Sequence, residues 1–126
     1  MRRRIDPDEG LGLIRAFARG EELSTRDKRQ AARFALEEFA SRHPGRSVEI
    51  RIPWAGAVQA IAGPEHTRGT PPNVVEMDVD TFLALATSAP GDVQVDPAKV
   101  TYSGTRANIS EFFPIFRPVE LGQPGH

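Results

Sequence analysis

The sequence predicts an α+β domain, with a mainly antiparallel sheet and helices packed on one face. Apolar side chains recur at helical spacing through the first 42 residues, and in SVEIRIP the period changes to strict alternation. A second helical segment, DTFLALATS, lies between later alternating stretches. Helices on both sides of a group of strands are typical of an α+β domain.

The composition excludes several classes of protein. A chain of 126 residues has the length of one domain, and we expect a single domain over 1–126. No cysteine is present, which excludes disulfides, thiolate zinc sites and a cysteine nucleophile. The 16 basic and 17 acidic residues nearly cancel, so we expect no nucleic-acid partner. No apolar run approaches the length of a membrane span, and MRRR is too short for a signal peptide, so we expect a cytoplasmic protein without stable membrane insertion.

Two helices are predicted before residue 43. The first covers 6–20, because Asp6 can cap it and Pro7 suits the first helical position. The second begins at STRD, where Ser24 and Asp27 have capping-box spacing, and ends near Arg42. The apolar side of the first helix is predicted to be Leu11, Ile14, Phe17 and Ala18.

The strands follow from alternating patterns. SVEIRIP and AVQAIAG predict a hairpin over 46–62, and NVVEMD and KVTYSG predict two further strands. TRANISEFFPIF predicts a last helical turn that ends near Pro114. Residues 1–5 and 117–126 offer little to bury, and we expect them to be loosely held.

Two loop sequences, HTRGTPPNVVE and SGTRANIS, together with the order of elements, resemble the sterol carrier protein 2-like (SCP2-like) domain, and more closely its bacterial members. The resemblance covers about residues 24–116. It implies a five-stranded sheet and an apolar cavity for a fatty acyl or sterol-like ligand, and hence non-enzymatic lipid binding or transfer. One segment differs from the family: APGDVQVDPA, at residues 89–98, replaces a short helix and a glycine, and we expect an open loop there.

The loop that contains His66 and Arg68 has three interpretations. It is an ordered connection, with Arg68 paired to Glu76 or Glu49; or it binds an anionic head group through Arg68; or His66 is a general base. The connection is favoured over chemistry, because no nucleophile or acid accompanies the histidine. We therefore predict no catalytic residue.

Two other polar groups were weighed as binding sites. Glu76, Asp78 and Asp80 are candidate metal ligands, but Asp78 or Asp80 is also needed as the N-cap of the next helix, so no metal and no cofactor are predicted. Thr105 and Arg106 could hold an anion at a helix start, although a plain cap by Thr105 is favoured.

The aromatic residues near the sheet edges give the remaining prediction. They are either core or the lining of a lipid cavity, and the resemblance favours a lining by Trp54, Phe82, Phe112, Phe113 and Phe116, with Arg68 and His66 at the polar head of the ligand. The alternative function is a cavity-less module that binds a partner protein through the loop His66–Pro72. A small enzyme that uses His66 is the third and least favoured hypothesis, and the oligomeric state is not predicted.

Overall fold

A computed structural model describes residues 5–63, 73–88, 95–103 and 109–122. The helices are α1 (Pro7–Ala18), α2 (Thr25–Arg42) and α3 (Val79–Thr87), and the strands are β1 (Val48–Ile52), β2 (Gly56–Ala60), β3 (Asn73–Met77) and β4 (Val100–Ser103). Short 3₁₀ turns cover Pro97–Lys99 and Ser110–Phe112. In these ranges no helix is long and apolar enough to cross a membrane.

The helices begin where the capping residues predict. The Asp6 carboxylate accepts a hydrogen bond from the Glu9 amide at 3.1 Å, and the Ser24 hydroxyl accepts one from the Asp27 amide at 3.1 Å. Asp78 caps α3, since its carboxylate accepts from the Thr81 amide at 2.7 Å. These bonds satisfy backbone donors that the first turn of a helix leaves without partners.

The sheet differs from the prediction in strand count and direction. Its described strands number four, in the order β2-β1-β3-β4. β1 is antiparallel to β2 but parallel to β3, and β3 is antiparallel to β4. The sheet is therefore mixed: two of its three described pairings are antiparallel, as expected, but the β1–β3 pairing is parallel, and the described strands number four rather than the five that the resemblance implies. The hairpin places β2 at the outer edge of the sheet. The next strand, β3, lies on the other side of β1 and runs parallel to it.

The core lies on one face of the sheet. Alternate side chains of β1, Val48, Ile50 and Ile52, are buried, whereas Glu49 and Arg51 point to the opposite face. Helix α2 contacts α1, α3 and β2, which makes it the central helix of the domain.

The contact between α1 and α2 is closer than the apolar pattern predicts. A Cβ atom added to Gly10 would lie 2.3 Å from Cγ of Phe34, so only glycine fits at this point. The buried residues of α1 are Gly10, Ile14 and Ala16, whereas Leu11, Phe17 and Ala18 are only half-buried. Sequence reasoning missed the glycine because it has no side chain to add to an apolar pattern.

The end of the described chain is better held than expected. Leu121 is 3% exposed, and Arg15 Nε donates to the Glu120 carbonyl at 2.9 Å. The expectation of a loosely held segment was therefore wrong for residues 117–122, because Glu120 and Leu121 give it both a polar and an apolar contact; residues 123–126 lie outside the described ranges. Ile5 was also expected to be loosely held, but its amide donates a hydrogen bond to Oε1 of Glu37 at 3.2 Å.

Candidate functional site

Four phenylalanine rings meet where α2, α3 and the C-terminal segment come together. We call Phe39, Phe82, Phe112 and Phe113 the aromatic cluster. The Phe113 ring centroid lies 5.6 Å from that of Phe39 and 6.2 Å from that of Phe82, and the Phe112 and Phe39 centroids are 6.2 Å apart. Phe39 and Phe82 are fully buried, whereas Phe112 and Phe113 are half-buried. The cluster therefore runs from the core to the surface.

The backbone after the cluster is anchored to α3 and α2. The amides of Ile115 and Phe116 both donate to the Ala86 carbonyl, at 3.0 and 3.1 Å, and Arg42 donates to the Ile115 carbonyl. Phe116 is buried, with its ring stacked 5.9 Å from that of Phe34. Residues 115 and 116 thus hold the segment in place beside the half-buried rings.

A histidine that the sequence analysis did not single out lies at the edge of the cluster. The His43 ring centroid is 5.1 Å from that of Phe39 and 4.9 Å from that of Phe112. Burial, and secondarily the charge of Arg42, lower the pKa of His43, which favours the neutral imidazole. The available signal was the sequence HPG, which indicates the end of α2 and hence a ring beside its last turn.

The structure brings together only part of the predicted site. Phe82, Phe112 and Phe113 share the aromatic cluster, and Phe116 is anchored next to it, but Trp54 is 82% exposed and lines a concavity elsewhere on the surface. His66, Arg68, Thr105 and Arg106 lie outside the described residues, so their predicted roles remain predictions. Arg51 pairs with Glu49, at 2.9 Å, which was one of the two partners proposed for Arg68.

A concavity away from the aromatic cluster, which we call the Trp54 groove, has a volume of about 560 Å³. It lies at the carboxyl ends of β1 and β3, beside the first turns of α2 and α3. Its charged and aromatic lining residues are Lys28, Arg29, Trp54, Glu76, Asp78, Asp80 and Lys99. Lys28 Nζ pairs with Asp80 at 3.1 Å.

The three carboxylates of the groove do not form a metal centre. Asp78 caps α3; partial burial opposes its ionisation, but hydrogen bonds from Thr81 and the charge of Lys99 keep its pKa below the usual value. Asp80 is paired with Lys28. Across the described part of the chain, no group of three or more His, Cys, Asp or Glu side chains could hold a metal ion.

A comparison with known protein families shows what this fold is related to. The model of a family described as "Bacterial SCP ortholog" matches residues 24–115. This match covers most of the chain, from α2 to the aromatic cluster. The chain belongs to this bacterial sterol carrier protein family. A comparison with curated proteins gives no match. At a coarse level the SCP family implies lipid binding or carriage by proteins that are generally not catalysts.

Proposed function

We propose that the protein carries a fatty acyl or sterol-like ligand and catalyses no reaction on it. The single observation that supports this proposal most directly is the aromatic cluster of an SCP-family chain, which continues from fully buried rings to half-buried ones. The transfer of an apolar ligand from water into contact with such rings is favourable, because it removes apolar surface from water. The proposed site is the space between α2, α3 and residues 109–116.

The ligand enters by displacing the half-buried rings. An apolar pocket needs about 300 Å³, and an empty void of that size costs roughly 7 kcal/mol at about 24 cal/mol per Å³. That cost is comparable to the whole stability of a small domain, roughly 5–15 kcal/mol. Contacts among the rings themselves avoid this cost in the free protein. Phe112 and Phe113 are the rings we expect to move, because residues 115 and 116 are fixed to Ala86.

The polar end of the ligand is assigned to residues beyond the cluster. Arg68, with His66, remains our proposed contact for a carboxylate or phosphate head group, on the basis of the sequence. The neutral imidazole of His43 lies beside Phe112 and would tolerate an uncharged part of the ligand.

Thermal unfolding with and without oleate tests the proposal. A ligand that binds only the folded state raises stability by about 2.7 kcal/mol at a hundred times its dissociation constant, so a clear increase in Tm is expected. Phe113→Ala should lower the Tm of the free protein and enlarge the increase caused by oleate, because the ligand no longer has to displace that ring.

The matched control is Val119→Ala, which truncates an apolar side chain that is 69% exposed and outside the cluster. It should change neither the Tm of the free protein nor the response to oleate. If neither oleate nor cholesterol moves the Tm of the wild type or of Phe113→Ala, the proposal is wrong.

A further inference from the structure

The tip of the β1–β2 hairpin carries a residue that the fold does not require. The Ala55 amide donates to the Ile52 carbonyl at 2.9 Å, which closes a turn with Pro53 and Trp54 at its centre. Trp54 has a positive φ, 72°, and a turn position with positive φ favours glycine. A bulky residue is strained in this conformation, and the Trp54 ring is 82% exposed, so burial of the ring does not offset the strain.

Three arginines lie on one side of α2, and two of them contact this tip. We call Arg26, Arg29 and Arg33 the arginine ridge; their spacing of three and four residues places them on the same side of the helix, and all three are exposed. The Arg29 guanidinium lies 5.7 Å from the centroid of the Trp54 ring. Arg33 Nε donates to the Ala55 carbonyl at 3.0 Å, so the ridge also holds the turn.

Unlike Arg19 and Arg51, the arginine ridge has no carboxylate partner among the described residues. Arg19 pairs with Glu21 at 2.6 Å and Arg51 with Glu49 at 2.9 Å. In the described ranges, Arg26, Arg29 and Arg33 form no ion pair. Of the carboxylates that line the Trp54 groove, Asp80 is paired with Lys28, Asp78 caps α3, and the charge of Glu76 acts on Arg51. The outer side of α2 beside Trp54 therefore presents guanidinium groups that form no ion pair with a described carboxylate, whereas the adjoining Trp54 groove balances three basic side chains with three acidic ones.

We propose that the hairpin tip and the arginine ridge dock on the surface of an anionic lipid bilayer. Tryptophan is favoured at the headgroup level, where its ring meets both apolar and polar groups, and arginine binds lipid phosphates by charge-assisted hydrogen bonds. A nucleic acid is a poorer match, because the chain has a net charge of −1 and this surface offers one aromatic ring. Docking goes beyond ligand carriage, since a protein can bind a bilayer surface without taking up a lipid.

The fluorescence of Trp54 gives a direct test, because it is the single tryptophan of the chain. The protein should sediment together with vesicles made of equal parts phosphatidylglycerol and phosphatidylcholine. These vesicles should also shift the Trp54 emission to the blue. Vesicles of phosphatidylcholine alone should do neither, and added salt should weaken the binding to mixed vesicles because it screens exposed charges.

Two variants with matched controls separate this surface from a general effect. Trp54→Gly suits the turn and should stay folded, yet lose most sedimentation with mixed vesicles. Arg29→Gln should weaken vesicle affinity about fivefold, the contribution expected of one arginine near an anionic surface. Tyr102→Ala, at another exposed aromatic residue, and Arg19→Gln, at a paired arginine, should bind as the wild type does.

Three results would overturn the proposal: no binding to mixed vesicles, equal binding to both vesicle types, or unchanged binding by Trp54→Gly. Binding to an oligonucleotide or an acidic protein but not to mixed vesicles would assign the ridge to that other partner. The oleate experiment is independent, because it uses no bilayer. If the wild type responds to oleate but does not bind mixed vesicles, docking alone is refuted. If it binds mixed vesicles but does not respond to oleate, carriage alone is refuted.

Discussion

His43 joins the end of α2 to the strand hairpin and to the aromatic cluster. Its carbonyl accepts a hydrogen bond from the Ile61 amide at 2.6 Å, and its ring lies between those of Phe39 and Phe112. Burial and the adjacent Arg42 charge lower its pKa in the folded protein. The fold thus favours the neutral ring beside Phe112.

The free energy of unfolding should depend on His43 in mildly acidic solution. The unfolded chain takes up a proton near pH 6.5, roughly the free imidazole value, whereas the folded protein does so at lower pH. The His43 contribution is therefore complete above that pH, and stability falls as the pH is lowered through it. Urea unfolding between pH 8 and 5, about the range in which imidazole titrates, measures this slope. His43→Gln should reduce it, and an unchanged slope would contradict the assignment.

At the scale of secondary-structure elements, the α1–α2 contact depends on a missing side chain. Gly10 meets the Phe34 ring, whereas a Cβ on Gly12 of the same helix would have no neighbour within 4 Å. The two glycines therefore form a natural pair for comparison, since helix propensity is the same for both and only packing differs.

Gly10→Ala should destabilise the protein by about 1–3 kcal/mol, because the new methyl group forces the Phe34 ring to move. Gly12→Ala should instead stabilise it by about 0.5–1 kcal/mol, the usual gain for alanine inside a helix. Denaturant midpoints of the two variants give the comparison. Equal shifts in the same direction would show that α1 does not pack on Phe34.

The C-terminal segment is fixed by Glu120. Its carboxylate pairs with Arg42 at 2.6 Å and accepts from the Arg117 amide at 2.8 Å. The hydrogen bond from Arg42 holds the pKa of Glu120 below its usual value, although partial burial opposes this. The contribution to stability is present above the usual carboxyl pKa and is lost as the pH falls through the lowered value.

Glu120→Gln should lower the free energy of unfolding at neutral pH by about 1 kcal/mol, because the ion pair is only partly exposed. Glu21→Gln breaks the more exposed pair with Arg19 and should cost less, about 0.5 kcal/mol or below. Denaturant unfolding at pH 7 compares them. A larger loss for Glu21→Gln would contradict the anchoring role of Glu120.

For the whole molecule, the sequence predicted the elements better than their arrangement. Capping residues and period changes located the three helices and four strands of the described residues, because these signals are local. The family resemblance over 24–116 was confirmed by a match over 24–115. It also grouped Phe82, Phe112 and Phe113, which the structure brings together.

What the sequence could not give depends on contacts between distant residues. The parallel β1–β3 pairing arises because β2 occupies one side of β1 and β3 pairs with the other side. The alternation of apolar residues within a strand does not indicate the strand's direction in the sheet. Trp54 was placed with the phenylalanines because it is aromatic, but a turn at its own position exposes it. The contacts of Glu120 are likewise formed with Arg15 and Arg42, more than 70 residues earlier.

Native mass spectrometry of the purified protein, followed by denaturation and analysis of any released lipid, tests the central claim most directly. The account predicts a one-to-one adduct whose released species are fatty acyl or sterol-like, or the appearance of such an adduct after incubation with oleate. A mass that corresponds to the bare chain under both conditions, with a Tm unchanged by added oleate or cholesterol, would contradict the claim that this SCP-family protein carries an apolar ligand.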